Sequence, residues 1–201
     1  MNNFPSLDWT KNDDGLLPAI VQDAEAGTVL MLGYMNEEAL QVTMSTGFVT
    51  FFSRSKQRLW KKGEVSGNVL KFLSASSDCD RDALLISAVP TGPTCHTGMR
   101  SCFGEQEGTL ETLGLLLRTI RERDEGKDAN SYTKKLLDGG VEAYGAKVME
   151  EAEEVVRAAR SEGKQRTIEE ASDVLYHLFV LLRGEKVELA DIAAELRRRR
   201  K

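Results

Sequence analysis

Proline is confined to one part of the chain, and this limits what each part can fold into. All four prolines precede residue 94, whereas residues 108–201 contain long stretches of mixed apolar and charged residues without any. Proline removes a backbone donor and breaks the interior of a helix, so the second stretch is the one free to form long helices. We expect two domains, residues 1–107 and residues 108–201.

Hydrophobic periodicity predicts a different fold class for each domain. Before residue 108, short apolar runs between turn residues predict strands in LLPAIVQD, TVLMLGYM, FVTFFS and ALLISAV. One helix is predicted in NEEALQVTMSTG, with Asn36 as its N-cap and Gly47 as its stop. After residue 108, long runs such as VEAYGAKVMEEAEEVVRAARSEG and TIEEASDVLYHLFVLLRG have helical periodicity. The chain is therefore expected to be multi-domain, joining a β-rich α+β domain to an all-α domain.

Composition and charge argue against several classes of function. Hydrophobic residues make up 41% and charged residues 29% of the 201 residues, a profile typical of soluble globular proteins. The net charge of −5 gives no global basic field for nucleic acid, and the terminal RRRRK is interpreted as a solvated helix end. No apolar run reaches the roughly 20 residues of a membrane span, and the first residues lack a secretory signal. We expect a cytoplasmic protein that binds neither nucleic acid nor membrane.

The segment DCDRDALL carries aspartates at alternate positions, Asp78, Asp80 and Asp82. If the segment is a strand, the carboxylates share one face, and Cys79 and Arg81 share the other. Two interpretations stay open: a solvated edge at which Arg81 offsets the charge, or a site for Mg²⁺, which prefers carboxylate oxygens. An EF-hand does not fit, because Ala83 stands where that loop needs glycine and Val89 where it needs glutamate.

The chain has three cysteines, Cys79, Cys95 and Cys102. An odd number in a chain expected in the cytoplasm argues against a disulfide framework and leaves free thiols or a metal site. Three protein ligands with one open position are typical of catalytic zinc, and the alternative is three buried, inert thiols. His96, next to Cys95, is a candidate catalytic proton shuttle or a structural histidine, and the sequence favours neither.

A basic segment, residues 53–68, reads SRSKQRLWKKGEVSGN. Its basic groups and its small glycine and serine residues suit phosphate, and the indole of Trp60 can stack on a base. An ordinary basic hairpin is the alternative. The candidate substrate-binding residues are Arg54, Ser55, Trp60, Lys62, Gly63, Glu64, Ser66 and Gly67.

In this order, GYMNEEAL, FFSRSKQRLWKKGEVSGN, DCDRDALL and CHTGMRSCF resemble the phosphoribosyl-AMP cyclohydrolases of histidine biosynthesis. The resemblance covers most of residues 15–104, with Val65 where threonine is expected in many relatives. It implies a homodimer with the active site at the interface, and hydrolytic opening of the six-membered purine ring by attack at C6. It also implies that the three aspartates bind Mg²⁺, while Cys95 and Cys102 bind Zn²⁺ together with Cys79 from the partner chain. One strand would then serve two metals, one on each face.

Carboxylates on two predicted helices form a second candidate site, Glu151, Glu154, Glu170 and Asp173. In each helix the two residues are three apart and share a face, and together they could bind Mg²⁺ and hence a polyphosphate. Thr167 and Glu170 also fit a capping box, which would make Glu170 structural. The patterns E-E-x-x-E and E-x-x-D resemble the MazG-type all-α nucleoside-triphosphate pyrophosphatases. With SYTKKLL they resemble, more narrowly, the phosphoribosyl-ATP pyrophosphatases over about residues 110–200.

The two resemblances concern consecutive reactions, because the product of the pyrophosphatase, phosphoribosyl-AMP, is the substrate of the cyclohydrolase. We therefore expect a bifunctional hydrolase with nucleotide substrates and with Zn²⁺ and Mg²⁺ as cofactors. One alternative is a nucleotide-cleaning pyrophosphatase whose zinc domain only binds. Another is a scaffolding protein without activity, which the carboxylate pairs on a buried helix argue against.

Overall fold

The computed structural model describes residues 7–104, 108–126, 128 and 130–200. The chain divides into two compact units, Met1–Gly114 and Leu115–Lys201. Strands come first and helices follow, which confirms the predicted order of a β-rich domain and an all-α domain. The domain boundary after residue 107 stays a prediction. No helix in the described part of the chain is long and apolar enough to cross a bilayer.

The strands lie in a four-stranded sheet and a separate hairpin. The elements are β1 (Leu17–Asp23), β2 (Val29–Met35), α1 (Glu37–Thr46), β3 (Thr50–Ser53), β4 (Arg58–Lys61), β5 (Leu70–Ser77) and β6 (Leu84–Pro90). The sheet has the order β2-β1-β6-β5, in which β1 is antiparallel to β2 and parallel to β6, and β5 is antiparallel to β6. β3 and β4 pair as an antiparallel hairpin.

The core of the first unit lies against the sheet. Alternate residues of β1 are buried from Leu17 to Asp23, as the period of two predicts, and β6 repeats this pattern. Gly33 of β2 permits a close approach by the β3–β4 hairpin, since a Cβ at Gly33 would lie 2.4 Å from the ring of Phe51. The basic segment therefore starts from a hairpin that is packed tightly on the sheet.

Helix α1 has the predicted ends. Asn36 Oδ1 accepts the backbone N–H of Ala39 at 2.8 Å, which caps the first turn. Gly47 has φ +74°, and its N–H donates to the carbonyl of Thr43. Local side-chain chemistry was sufficient to predict these boundaries.

The second unit is helical throughout its described residues. The helices are α2 (Thr109–Glu125), α3 (Tyr132–Asp138), α4 (Gly140–Ser161), α5 (Lys164–Gly184) and α6 (Leu189–Arg199). The long helices α4 and α5 pack along each other, and α3 packs against both. Helix α2 begins within the first unit and continues into the second.

A buried ion network ties the start of α2 into the first unit. Arg100 Nη2 lies 2.7 Å from Asp23 Oδ2, whose side chain is fully buried, and Arg100 Nε lies 3.9 Å from Glu111 Oε1. Gly114 approaches Ala26 so closely that a Cβ at Gly114 would lie 2.6 Å from Ala26 Cα. The first turns of α2 are therefore part of the packing of this unit.

Candidate active sites

The three aspartates of DCDRDALL gather in a turn and not in a strand. Carboxylate oxygens of Asp78, Asp80 and Asp82 lie within 4.8 Å of one another, but β5 ends at Ser77. Asp78 Oδ1 accepts the backbone N–H groups of Asp82 at 3.0 Å and of Ala83 at 3.1 Å. The prediction of a strand at residues 78–82 was wrong, because aspartate is a poor strand former and its carboxylate stabilises turns. The two metals stay a prediction.

A lysine remote in sequence already faces this acidic cluster. The ammonium of Lys11 contacts Asp80 and lies 2.7 Å from Asp82 Oδ2. Its hydrogen bonds, first to Asp80 and then to Asp82, hold the pKa of Lys11 above its usual range. The lysine ammonium therefore occupies a position that favours positive charge. A metal ion would be favoured at the same position. Sequence analysis missed Lys11, because nothing in TKNDDG links it to a turn near residue 80.

Two of the three thiols lie side by side in the loop after β6. The turn closes through Gly98 N–H, which donates to the carbonyl of Cys95 at 3.1 Å, and Cys102 N–H donates to the carbonyl of Leu30 in β2 at 2.8 Å. Hydrogen bonds from Thr97 lower the pKa of Cys95, whereas burial and the adjacent Cys95 raise the pKa of Cys102. Paired sulfurs, one of them favouring the thiolate, fit a soft divalent ion such as zinc.

Cys79 and His96 do not complete a metal-ligand set with the other two thiols in one chain. Cys79 is exposed, and its Sγ lies 4.0 Å from Asp80 Oδ1. Among the described residues, no group of three metal-ligating side chains includes a thiol. His96 is exposed, with Nδ1 3.8 Å from Cys95 Sγ. One chain therefore gathers two sulfurs, and the third ligand predicted from the partner chain stays a prediction.

Lys62 is the member of the basic segment that approaches the thiols. It is 7% exposed, and its Nζ lies 3.5 Å from the carbonyl oxygen of Asn68. Burial lowers the pKa of Lys62, and the neighbouring Cys102 and Cys95 oppose that shift. The structure thus brings a buried ammonium and two sulfurs together at one end of the segment.

The GEVSG portion of the segment is a tight backbone turn. Gly63 has φ +82°, and the N–H of Gly67 donates to the carbonyl of Gly63 at 2.9 Å. Glu64 pairs with Arg58 at 2.6 Å, and Ser66 Oγ accepts the N–H of Asn68 at 3.3 Å. Glycine is required at Gly63 because a Cβ there would lie 2.3 Å from the carbonyl oxygen of Asn68.

The other candidate substrate-binding residues contact aromatic rings or each other. The guanidinium of Arg54 lies 3.8 Å from the ring centroid of Tyr34. Trp60 stacks on Phe51 at 5.6 Å and packs against the core. Ser55 Oγ lies 3.5 Å from Ser53 Oγ. One face of the indole therefore packs against Phe51. Stacking of Trp60 on a purine stays a prediction.

In the second unit, three of the four predicted carboxylates come together. Carboxylate oxygens of Glu151 and Glu154 on α4 and of Glu170 on α5 lie within 4.8 Å of one another. Asp173 is exposed and lies outside this group, although it is near enough to raise the pKa of Glu170. Glu151 and Glu170 are 7% and 1% exposed, so packing of α4 on α5 forces their charges together.

Glu170 is a buried carboxylate among other carboxylates and not a helix cap. Burial raises its pKa, the guanidinium of Arg166 opposes that shift, and Glu154, Glu151 and Asp173 add to it. The capping-box interpretation is wrong, because α5 begins three residues earlier, at Lys164, and Thr167 Oγ1 donates to the carbonyl of Gly163 at 3.0 Å. A buried carboxylate among other carboxylates fits a site that requires a cation.

The carboxylates of the second unit also have protein cations beside them. Arg166 contacts Glu170, and Lys147 Nζ lies 2.9 Å from Glu151 Oε1. Sequence analysis missed both, although each stands four residues before its partner on a helix, a spacing that brings side chains together. The acidic cluster thus has a basic side chain beside Glu151 and another beside Glu170.

Comparison with known proteins identifies one family in each half of the chain. A family model described as Phosphoribosyl-AMP cyclohydrolase matches residues 31–104, and one described as Phosphoribosyl-ATP pyrophosphohydrolase matches residues 113–200. The histidine biosynthesis bifunctional protein HisIE of Xanthomonas campestris pv. campestris is 51% identical over 196 residues, which cover 98% of this chain and 94% of the relative. HisIE proteins of Salmonella typhimurium and Escherichia coli K12 are each 49% identical over 193 residues, covering 96% of this chain and 95% of the relative.

These matches decide between the alternatives that the sequence left open. Both catalytic families are represented on one chain, in the order of the two candidate sites. A pyrophosphatase with a merely zinc-binding domain and an inactive scaffold are therefore disfavoured. The chain belongs to the bifunctional hydrolases of histidine biosynthesis, which release pyrophosphate from phosphoribosyl-ATP and then open the purine ring of phosphoribosyl-AMP.

Proposed function

We propose that ring opening takes place at the thiol pair of the first unit. Cys95 and Cys102 would hold Zn²⁺ together with Cys79 of a second chain, and a bound zinc ion supplies hydroxide at neutral pH by lowering the pKa of water to about 7. The adjacent sulfurs and the lowered pKa of Cys95 support this assignment. Lys62 offsets the charge of the thiolates, and His96 moves a proton beside Cys95.

We assign Mg²⁺ to Asp78, Asp80 and Asp82 of the same unit. The support is the gathering of the three carboxylates and the ammonium of Lys11 against two of them. The basic segment, with Arg54, Ser55, Trp60 and the Gly63–Gly67 turn, would hold the phosphate and base of phosphoribosyl-AMP. Its ammonium, guanidinium and backbone N–H groups are the donors that phosphate accepts from.

Pyrophosphate release is assigned to the α4–α5 cluster. Glu151, Glu154 and Glu170 would hold Mg²⁺, with Asp173 as a fourth ligand one turn along α5 from Glu170. Bound Mg²⁺ neutralises charge that develops on transferred phosphoryl oxygens. The support is a set of three carboxylates with oxygens within 4.8 Å of one another, two of them buried, whose mutual repulsion a divalent cation would offset.

The assembly that we propose is a cytoplasmic homodimer acting on small nucleotides. The exposed Cys79 lies apart from the other two thiols, so one chain alone does not complete a three-sulfur site. All three cysteines are free, which suits a reducing compartment.

The observation that carries the proposal is the presence of one separate metal-ligating cluster in each family segment, and reciprocal variants test it. Cys95→Ala should abolish ring opening of supplied phosphoribosyl-AMP, followed by absorbance, and leave pyrophosphate release unchanged. Glu154→Gln should do the reverse. Metal analysis should find zinc in the wild type and lose it in Cys95→Ala. Folded variants in which both activities fall together, or an active wild type without zinc, would overturn the assignment.

A further inference from the structure

Lys147 forms ion pairs with two carboxylates, of which only one belongs to the acidic cluster of Glu151, Glu154 and Glu170. Its Nζ lies 2.9 Å from Glu151 Oε1, which belongs to the cluster, and 2.8 Å from Glu150 Oε2, which does not. The hydrogen bonds to Glu150 and then to Glu151 hold the pKa of Lys147 above its usual range, so the side chain is an ammonium. A fixed positive charge therefore lies at one end of the acidic cluster.

That contact conflicts with metal binding at Glu151. A divalent cation on Glu151 draws on the charge of the carboxylate that now accepts from Lys147, and it repels the ammonium. Glu150 is free of this conflict because it lies outside the cluster, with its side chain 56% exposed. When a metal ion binds, Lys147 therefore loses one partner and keeps the other, which leaves its ammonium at the edge of the site.

A second donor lies on the same side of the cluster. Tyr132 of α3 places its hydroxyl 3.2 Å from His177 Nε2, while His177 Nδ1 lies 2.9 Å from the carbonyl oxygen of Asp173. A carbonyl oxygen only accepts, so Nδ1 of His177 donates to it, and Nε2 shares a hydrogen bond with the Tyr132 hydroxyl. Burial raises the pKa of Tyr132 and the charge of Lys147 opposes that shift, so the hydroxyl lies within electrostatic range of the ammonium.

A cation, a hydroxyl and metal-ligating carboxylates at one edge form the donor set that a polyphosphate requires. Non-bridging phosphoryl oxygens accept from ammonium groups and coordinate Mg²⁺. We propose that Lys147 is a substrate-binding residue of the pyrophosphatase site, which leaves Glu151 when divalent cations bind and donates to the polyphosphate chain of phosphoribosyl-ATP. This rests on the assignment of Mg²⁺ to Glu151, Glu154 and Glu170.

Two binding measurements on the full-length protein test the proposal without turnover. The first is Mn²⁺ binding in the absence of nucleotide, followed by electron paramagnetic resonance. Lys147→Met should bind Mn²⁺ more tightly by roughly two- to fivefold, the range that a part-exposed ion pair contributes, because a competitor is removed. The second is calorimetric titration of inorganic pyrophosphate at saturating Mg²⁺. Here Lys147→Met should bind more weakly by roughly ten- to a hundredfold, as expected for loss of a charge-assisted hydrogen bond.

Controls separate this role from a structural one. Lys147→Arg keeps the charge and should restore pyrophosphate binding, and Lys186→Met removes one charge from an exposed position beyond the end of α5 and should change neither affinity. An unchanged helical circular dichroism spectrum and an unchanged urea midpoint show that each variant is folded. If Lys147 only held Glu151 in place, Lys147→Met would weaken Mn²⁺ binding, and that result, or the absence of either shift, overturns the proposal. If Glu154→Gln binds as much Mn²⁺ as the wild type, the metal site itself is wrongly assigned.

Discussion

At the scale of single residues, Glu169 and Glu170 are neighbours in sequence with opposite electrostatic environments. Burial raises the pKa of Glu170 above the ordinary value of 4.5, whereas hydrogen bonds from Arg166 and Gln165 lower the pKa of the exposed Glu169. A raised carboxyl pKa means that the charged form is disfavoured in the folded state. Stability is then lost as the pH rises through that pKa, and a lowered pKa gives the opposite dependence.

The first prediction follows from these signs. In metal-free protein at neutral pH, Glu170→Gln should increase the free energy of unfolding and Glu169→Gln should decrease it. The difference for Glu170→Gln should vanish as the pH falls below the ordinary pKa of the carboxyl group, whereas that for Glu169→Gln should vanish only at lower pH, below the lowered pKa of Glu169 in the folded state. Urea unfolding with a chelator present, repeated from acidic to neutral pH, measures this. Equal signs for the two variants would contradict the environment described for Glu170.

Excess Mg²⁺ should make the wild type more stable to unfolding than Glu170→Gln, the reverse of the order in metal-free protein. A ligand bound only to the folded state stabilises that state, so the wild type gains stability that Glu170→Gln cannot gain in full. The same urea titration with Mg²⁺ replacing the chelator provides the comparison. Glu169→Gln is the control, since it should respond to Mg²⁺ as the wild type does.

At the scale of elements, two glycines of the turn after β4 offer a matched test. Gly63 and Gly67 both have positive φ, +82° and +78°. A Cβ at Gly63 would lie 2.3 Å from the carbonyl oxygen of Asn68, whereas a Cβ at Gly67 meets nothing within 4 Å. The two positions thus share backbone strain and differ in steric room.

The second prediction compares alanine at the two positions. Gly67→Ala should cost about 1 kcal/mol, the strain of a left-handed non-glycine residue. Gly63→Ala should cost clearly more, because the turn must shift away from Asn68, and it should weaken binding of phosphoribosyl-AMP by moving Lys62. Urea unfolding and the KM of ring opening measure both effects. Equal costs at the two positions would show that the turn relaxes freely.

Elements with a local chemical cause were predictable from the sequence, and those set by distant contacts were not. Asn36 and Gly47 delimit α1 because their effects act within four residues. The strand β5 was missed because it contains three serines and exposes Leu73, so it lacks a regular alternation of apolar and polar residues, and its pairing with β6 defines it. The spacing in the sequence predicted that Asp78, Asp80 and Asp82 lie together. It did not predict the turn that brings them together, which depends on hydrogen bonds to Asp78.

The same distinction holds for the candidate sites. Glu151, Glu154 and Glu170 were predictable from helical periodicity, since packing of two helices brings such faces together. Lys11 could not be found from the sequence, because its partners Asp80 and Asp82 lie far along the chain. Asp173 shows the limit of periodicity, which identifies a face but not how far a side chain reaches across it.

At the scale of the whole molecule, the third prediction concerns where the first domain ends. A fragment of residues 1–107 lacks Glu111, whose Oε1 lies 3.9 Å from Arg100 Nε, and it uncovers Ala26. A fragment of residues 1–114 keeps both contacts. It should be more stable by about 1 kcal/mol, because Arg100 keeps its ion pair with Asp23 in both fragments and loses only the longer contact with Glu111 in the shorter one.

Urea unfolding of the two fragments at equal protein concentration measures the difference, since any dimerisation makes stability depend on concentration. Both fragments should retain ring opening. Equal stabilities would show that the start of α2 contributes nothing to the first unit and would favour the boundary after residue 107.

The fourth prediction concerns the proposed sharing of the zinc site between chains. Cys79→Ala and Cys95→Ala should each abolish ring opening in a pure homodimer. After subunit exchange, a mixed dimer contains one site with all three sulfurs, so part of the activity should return. Exchange is verified with differently tagged chains, and Cys95→Ala mixed with Cys102→Ala is the control that should stay inactive. No recovery after verified exchange would contradict a shared site.

The position of Lys11 has a practical consequence for anyone who purifies this enzyme. Because its ammonium bridges Asp80 and Asp82, the turn keeps one compensating positive charge after a chelator has removed every ion. Stripped protein should therefore keep its circular dichroism spectrum, elution volume and solubility while having no turnover. Metal-free, inactive protein would then be indistinguishable from active protein by these measurements. The metal content of a preparation should therefore be measured directly.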